Sequence, residues 1–84
     1  MPSLGIRLRE LRGDLSLYEI EQSTGIPRSN IKRYEEGVLP KLETLKQLAD
    51  YYEVSYESLF VLHLEDLYPG EIERSLIIQW AKQQ

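Results

Sequence analysis

Arg28, Ser29, Lys32 and Arg33 crowd into one short stretch, Pro27-Arg-Ser-Asn-Ile-Lys-Arg-Tyr-Glu-Glu-Gly37. At about 100° per residue, a helix here turns those four toward one side, with Glu36. Ile31, Tyr34 and Glu35 share the other side with Pro27. Guanidinium and ammonium donors grouped on so short a helix pack poorly into a core and suit the groove of a polyanion. An arginine fork also matches the paired acceptors on a guanine edge. The chemistry implied is recognition of a nucleic-acid duplex.

Other chemistries lack their parts. There is no cysteine, so disulfides and thiolate metal sites are excluded. His63 is the sole histidine and is read as a surface or edge residue at the end of the fifth helix, not a ligand. The adjacent acids Glu35-Glu36 and Glu65-Asp66 diverge on a helix and make no acid–base couple. No glycine-rich phosphate loop is present. Tyr51, Tyr52, Tyr56 and Tyr68 read as packing aromatics. The expectation is no enzyme, no cofactor and no metal.

The recognition stretch needs a scaffold. Ser16 can cap a helix, with Glu19 three residues on closing a capping box. That second helix runs to about Ser23 on Leu17 and Ile20. Gly25 then stands where a helix end requires a left-handed residue, and Pro27 opens the next helix. Ser16 to Gly37 is therefore a helix-turn-helix pattern. Ahead of it, Leu4, Leu8 and Leu11, edged by Ile6, predict a first helix from Leu4 to about Gly13 that Ser3 can cap. Behind it, Leu42, Leu45, Leu48, Ala49 and Tyr52 predict a fourth helix over about 41–53. Ser55 caps a fifth, from Tyr56 to about Leu62, presenting Leu59, Phe60 and Leu62. After the Pro69-Gly70 turn signal, Ile72, Leu76 and Trp80 repeat every four residues, with Ile77 beside them, in a sixth helix over 71–82. That stripe either closes over the core or meets its copy in a second chain. The fold expected is all-α: a five-helix domain over residues 1–62 and a C-terminal extension over 63–84.

Eighty-four residues support one modest core. The net charge of −4 argues at first against DNA, but it is unevenly spread. Residues 1–41 carry seven Lys/Arg against six Asp/Glu; residues 42–84 carry three against eight. The half containing the helix-turn-helix is the one able to approach phosphate. No apolar run reaches the length of a membrane span, and the first residues lack the apolar core of a signal peptide. A cytoplasmic protein is expected.

Taken together, the segments LRELR, LSLYEI, TGIPRSNIKRYEEG and LPKLETLKQLADYYEVSYESLF resemble the Cro and lambda-repressor-like (XRE-type) helix-turn-helix family. The combination of TG-x-x-x-S-x-I-x-x-Y-E-x-G with P-x-L-x-T-L-x-x-L-A carries the likeness, from about Leu4 to Leu62. The resemblance implies a lambda-repressor-like fold and a transcription regulator, usually dimeric, that binds double-stranded DNA. It implies that Arg28, Ser29 and Arg33 read bases with Lys32 beside them, and that Asn30 lies near the backbone or a base edge. It implies that Ser16 and the Leu17 N–H hold a phosphate, that Lys41 touches another, and that Arg12 and Glu35 form a buried structural pair. Three positions depart from the pattern. Leu17 replaces a frequent glutamine, Glu21 stands where a small alanine packs, and Pro27 replaces a Ser/Thr cap. Glu21 must then turn outward or pair with Arg28 or Arg33. Ile72, Leu76 and Trp80 are the dimer candidates. The alternative is a protein-interaction or antitoxin-like module on the same fold, holding a protein partner through that stripe.

Overall fold

Nine buried residues from five helices and one turn form a single apolar nucleus: Leu4, Leu8, Ile20, Ile26, Ile31, Leu45, Leu48, Ala49 and Leu59. The helices that deliver them are α1 (Ser3–Arg12), α2 (Leu17–Thr24), α3 (Arg28–Glu35), α4 (Leu42–Tyr51) and α5 (Tyr56–Leu67), followed by α6 (Glu71–Lys82). The computed structural model describes residues 3–68 and 71–84, the side chains of residues 71–75 and 77 excepted. The described residues form helices and no strand, an all-α arrangement.

Packing follows the apolar stripes. α1 lies against α3 and α5, α2 against α3 and α4, and α4 against α5. α1 and α3 meet at Gly5, where a Cβ would sit 2.6 Å from the Glu35 carbonyl oxygen and 2.9 Å from that of Tyr34. Only glycine allows backbones so close, and the contact fixes the depth at which α3 is seated. α2 starts on Ser16, whose hydroxyl accepts from the Glu19 N–H while Glu19 accepts from the Ser16 N–H. It stops at Gly25, whose φ of 80° is left-handed. Ser55 caps α5 by accepting from the Ser58 N–H.

Four sequence expectations are corrected. Ser3 lies inside α1 rather than capping it, and the Asp66 carboxylate accepts the Ser3 and Leu4 N–H groups at 2.8 and 2.9 Å. The fifth helix does not stop near Leu62 but continues to Leu67, because Leu64 remains on its buried side and Asp66 is drawn to the α1 N-terminus. It ends at Tyr68, whose backbone leaves the helical region, as the residue before a proline tends to. That extra length puts His63 inside: it is buried, with Nε2 3.2 Å from the Pro40 carbonyl oxygen and its ring stacked on Phe60. Leu42 is 48% exposed rather than part of the core, since it begins α4 one turn ahead of the ridge that packs. Tyr52 lies just past α4 but still packs against the core, beside Tyr51.

Candidate nucleic-acid interface

α3 is anchored along one side and open along the other. Ile31 is buried and Tyr34 packs against the core. Glu35 accepts two bonds from the Arg12 guanidinium, from Nε at 2.7 Å and from an Nη at 3.1 Å. The side chains of this pair are only 17% and 7% exposed, and Arg12 also donates to the Leu15 carbonyl oxygen. The bonds to Glu35 push the Arg12 guanidinium above its ordinary pKa, against the opposing effect of burial. The pair ties α1 to the last turn of α3. Tyr52 lies close enough to feel both charges. Burial first, then the Glu35 charge, push its phenol up to about 12.

The structure therefore brings Arg12 and Glu35 together, and it leaves Arg28, Ser29, Lys32 and Arg33 exposed. Asn30 is half-buried and turns toward an open cleft that it lines with Arg33, Tyr34, Leu39, Lys41 and Thr44. Lys41 occupies the cap position of α4 and offers no side-chain acceptor, so the first N–H groups of that helix have none from their own cap. With Lys41 and Arg33 beside them, those donors favour an anion. Ser16 and Leu17 stand together at the start of α2. Ser16 is exposed and engaged in its capping box, and Leu17 is half-buried against the core.

The N-terminus of α3 shows what the sequence left open. Pro27 precedes the helix instead of opening it and makes no side-chain cap. Glu21 fills that gap: one carboxylate oxygen accepts the Arg28 N–H at 3.0 Å and the other accepts from Arg28 Nε at 3.1 Å. The guanidinium also lies 5.2 Å from the centre of the Tyr18 ring, within reach of a cation–π attraction. Two of the departures, Glu21 and Pro27, therefore complement each other. Tyr18 was not singled out in the sequence, although it sits three residues before Glu21 on the same helix face. Asp66 carried no local signal at all, being 63 residues from the N–H it caps.

The C-terminal stripe is partly visible. Leu76 is 63% exposed and Trp80 54% exposed, while Ala81 is buried and Phe60 of α5 approaches the Trp80 ring at 6.5 Å. The side chains of Ile72 and Ile77 lie outside the described residues. Among the described residues no helix is long and apolar enough to cross a membrane.

A family model described as a helix-turn-helix matches residues 6–59, which spans α2, α3 and α4, most of α1 and the start of α5. No curated protein matches the chain, and no solved structure does.

Proposed function

Because the chain belongs to the Cro/C1-type (XRE) helix-turn-helix family, a DNA-binding and not an enzymatic one, we propose that it is a sequence-specific transcriptional regulator, a dimeric cytoplasmic repressor. The helices α1 to α5, which reach Leu67 and not Leu62, form its DNA-binding unit, and the segment beyond Leu67 is an extension. α3 lies in the major groove with Arg28, Ser29 and Arg33 at base edges and Lys32 alongside. Asn30 sits at the groove wall. Ser16, the Leu17 N–H and Lys41 hold phosphates on either flank.

The observation that carries this reading is the two-sidedness of α3. Ile31 is 2% exposed, while the four polar side chains on the opposite side are all open to solvent. Among the described residues neither Lys32 nor Arg33 has an ion-pair partner, so their charge is available to DNA. Selection of bound duplexes from a random pool tests the reading, and a palindromic product with half-sites about 34 Å apart is expected. Arg33→Ala relaxes the preference at its base pair; Lys41→Ala weakens all sequences alike. Failure to enrich any duplex overturns the reading.

A second reading rests on the exposure of Leu76 and Trp80. An apolar pair this open on α6 suits a contact with another chain. We place the homodimer contact there, with Ile72 completing the stripe. If Trp80→Ala leaves a monomer, the homodimer assignment holds. If the wild-type chain sediments as a monomer, the stripe is left to a different protein partner, as an antitoxin-like module requires.

A further inference from the structure

Arg28 is not free. Its backbone N–H and its Nε both go to one carboxylate, Glu21, and its guanidinium lies over the Tyr18 ring. Its side chain is nevertheless 56% exposed, and its Nη groups have no hydrogen-bond partner among the described residues. We propose that Glu21 and Tyr18 are positioning residues that set the base preference of Arg28, an inference that rests on the DNA-binding reading above and goes one step past it.

Three physical effects converge on this. An unrestrained arginine at a helix start samples many rotamers, and binding must then select one. Here the charge-assisted bond to Glu21 fixes the inner edge of the fork, and the tyrosine supports its plane. The pair of Nη groups is left unengaged on a half-exposed side chain, and such a pair matches guanine O6 and N7 end-on. The second effect is electrostatic. A bare guanidinium on the first turn of a groove-bound helix is drawn to the nearest phosphate. Glu21 offsets that pull and repels phosphate, so Arg28 favours the neutral base edge. The third is the helix start. With no side-chain cap from Pro27, the same carboxylate fills an open α3 N–H and holds the Arg28 Cα in register.

Glu21→Gln isolates the effect. Its amide oxygen can still accept the Arg28 N–H, but the charge that holds Nε is gone. Selection of bound duplexes with wild type and Glu21→Gln, followed by salt titration on the selected site, is the test. The expected result is a loss of about tenfold in discrimination at the base pair read by Arg28, with the Arg33 position unchanged. The salt dependence should steepen by about 0.9 in log–log slope as Arg28 turns to a phosphate. Tyr18→Ala should lose part of the same preference, and Tyr18→Phe, which keeps the ring, should restore it. In an Arg28→Ala background, Glu21→Gln should change the base preference no further, whatever the loss of its charge does to overall affinity. Thermal unfolding confirms that each variant is folded. If wild type selects a site and Glu21→Gln selects it equally well, the positioning role is wrong and the DNA-binding reading stands. If Glu21→Gln tightens binding to every duplex alike, Glu21 is only an electrostatic brake and the inference also falls. If wild type selects no site, both fall together.

Discussion

α2 and α5 start on their own serines, whereas α1 and α3 start on carboxylates brought from other helices. Ser16 and Ser55 each cap an N–H three residues on. Asp66 reaches α1 from the end of α5, and Glu21 reaches α3 across the turn from α2. The two classes do different work. A serine cap lowers the free energy of one helix and would do so in an isolated peptide. A carboxylate from elsewhere forms only when two helices are already in place, so it reports on and stabilises their relative position. α3, the helix we propose enters the groove, is tied to other helices at both ends: Glu21 of α2 meets its start, and Arg12 of α1 meets its own Glu35 at its finish.

The contrast predicts unequal costs. The largest is expected at Glu35, because removing it leaves the Arg12 guanidinium, 17% exposed, without its counter-charge. Glu35→Ala should destabilise the fold by about 3 kcal/mol in a denaturant titration. A cost no greater than that of losing a serine cap would remove the distinction between contacts within a helix and contacts between helices.

Asp66 comes next. It accepts two backbone N–H groups while partly buried, and hydrogen bonds to a charged acceptor contribute more than neutral ones. Asp66→Ala should cost about 2 kcal/mol, and amide exchange should quicken first in α1. Faster exchange confined to α5 instead would mean that Asp66 acts on its own helix and not across the interface.

The serine caps should be cheaper. Ser16→Ala and Ser55→Ala should each cost about 1 kcal/mol, lowering helix content locally without disturbing α1 or α3. Ser16→Ala also tests whether the start of α2 holds phosphate, since it should weaken binding to all duplexes without altering their ranking.

The same division explains what could be read from the chain. Ser16 with Glu19, Gly25 and Ser55 act on neighbours within a few residues, and the helix starts and stops they mark stand where the pattern puts them. The apolar periods of α1, α3 and α4 were legible for the same reason, apart from Leu42 at the edge of its first turn. Asp66 was not legible because its partner is in another helix. The error at His63 follows from that: the sequence gives no reason for α5 to pass Leu62 until Asp66 has a destination. Glu21 was visible as an anomaly, a carboxylate where a small residue packs, but which arginine it meets depends on the angle between α2 and α3. On the proposed interface, which side of α3 is exposed is a matter of helical period and was legible. The restraint on Arg28 is a matter of tertiary geometry and was not.

Tyr52 sharpens the comparison from the other direction, as a buried polar group that neither class serves. Its hydroxyl is buried near the Arg12–Glu35 pair and has no hydrogen-bond partner among the described residues. Burying an unpaired hydroxyl is unfavourable, so Tyr52→Phe should leave stability unchanged or raise it by up to about 1 kcal/mol near neutral pH. The alkaline side is more telling. The folded phenol is pushed up to about 12, above its ordinary value of 10.0, chiefly by burial. The unfolded chain therefore releases this proton first as pH rises. The contribution is fully present below pH 10 and is lost progressively between pH 10 and about 12. Wild type should lose stability over that window more steeply than Tyr52→Phe, in denaturant titrations at successive pH values. Parallel curves would mean that the phenol is solvated or paired in solution. The last turn of α3 would then rest on Arg12 and Glu35 without the dry surroundings that keep their attraction strong.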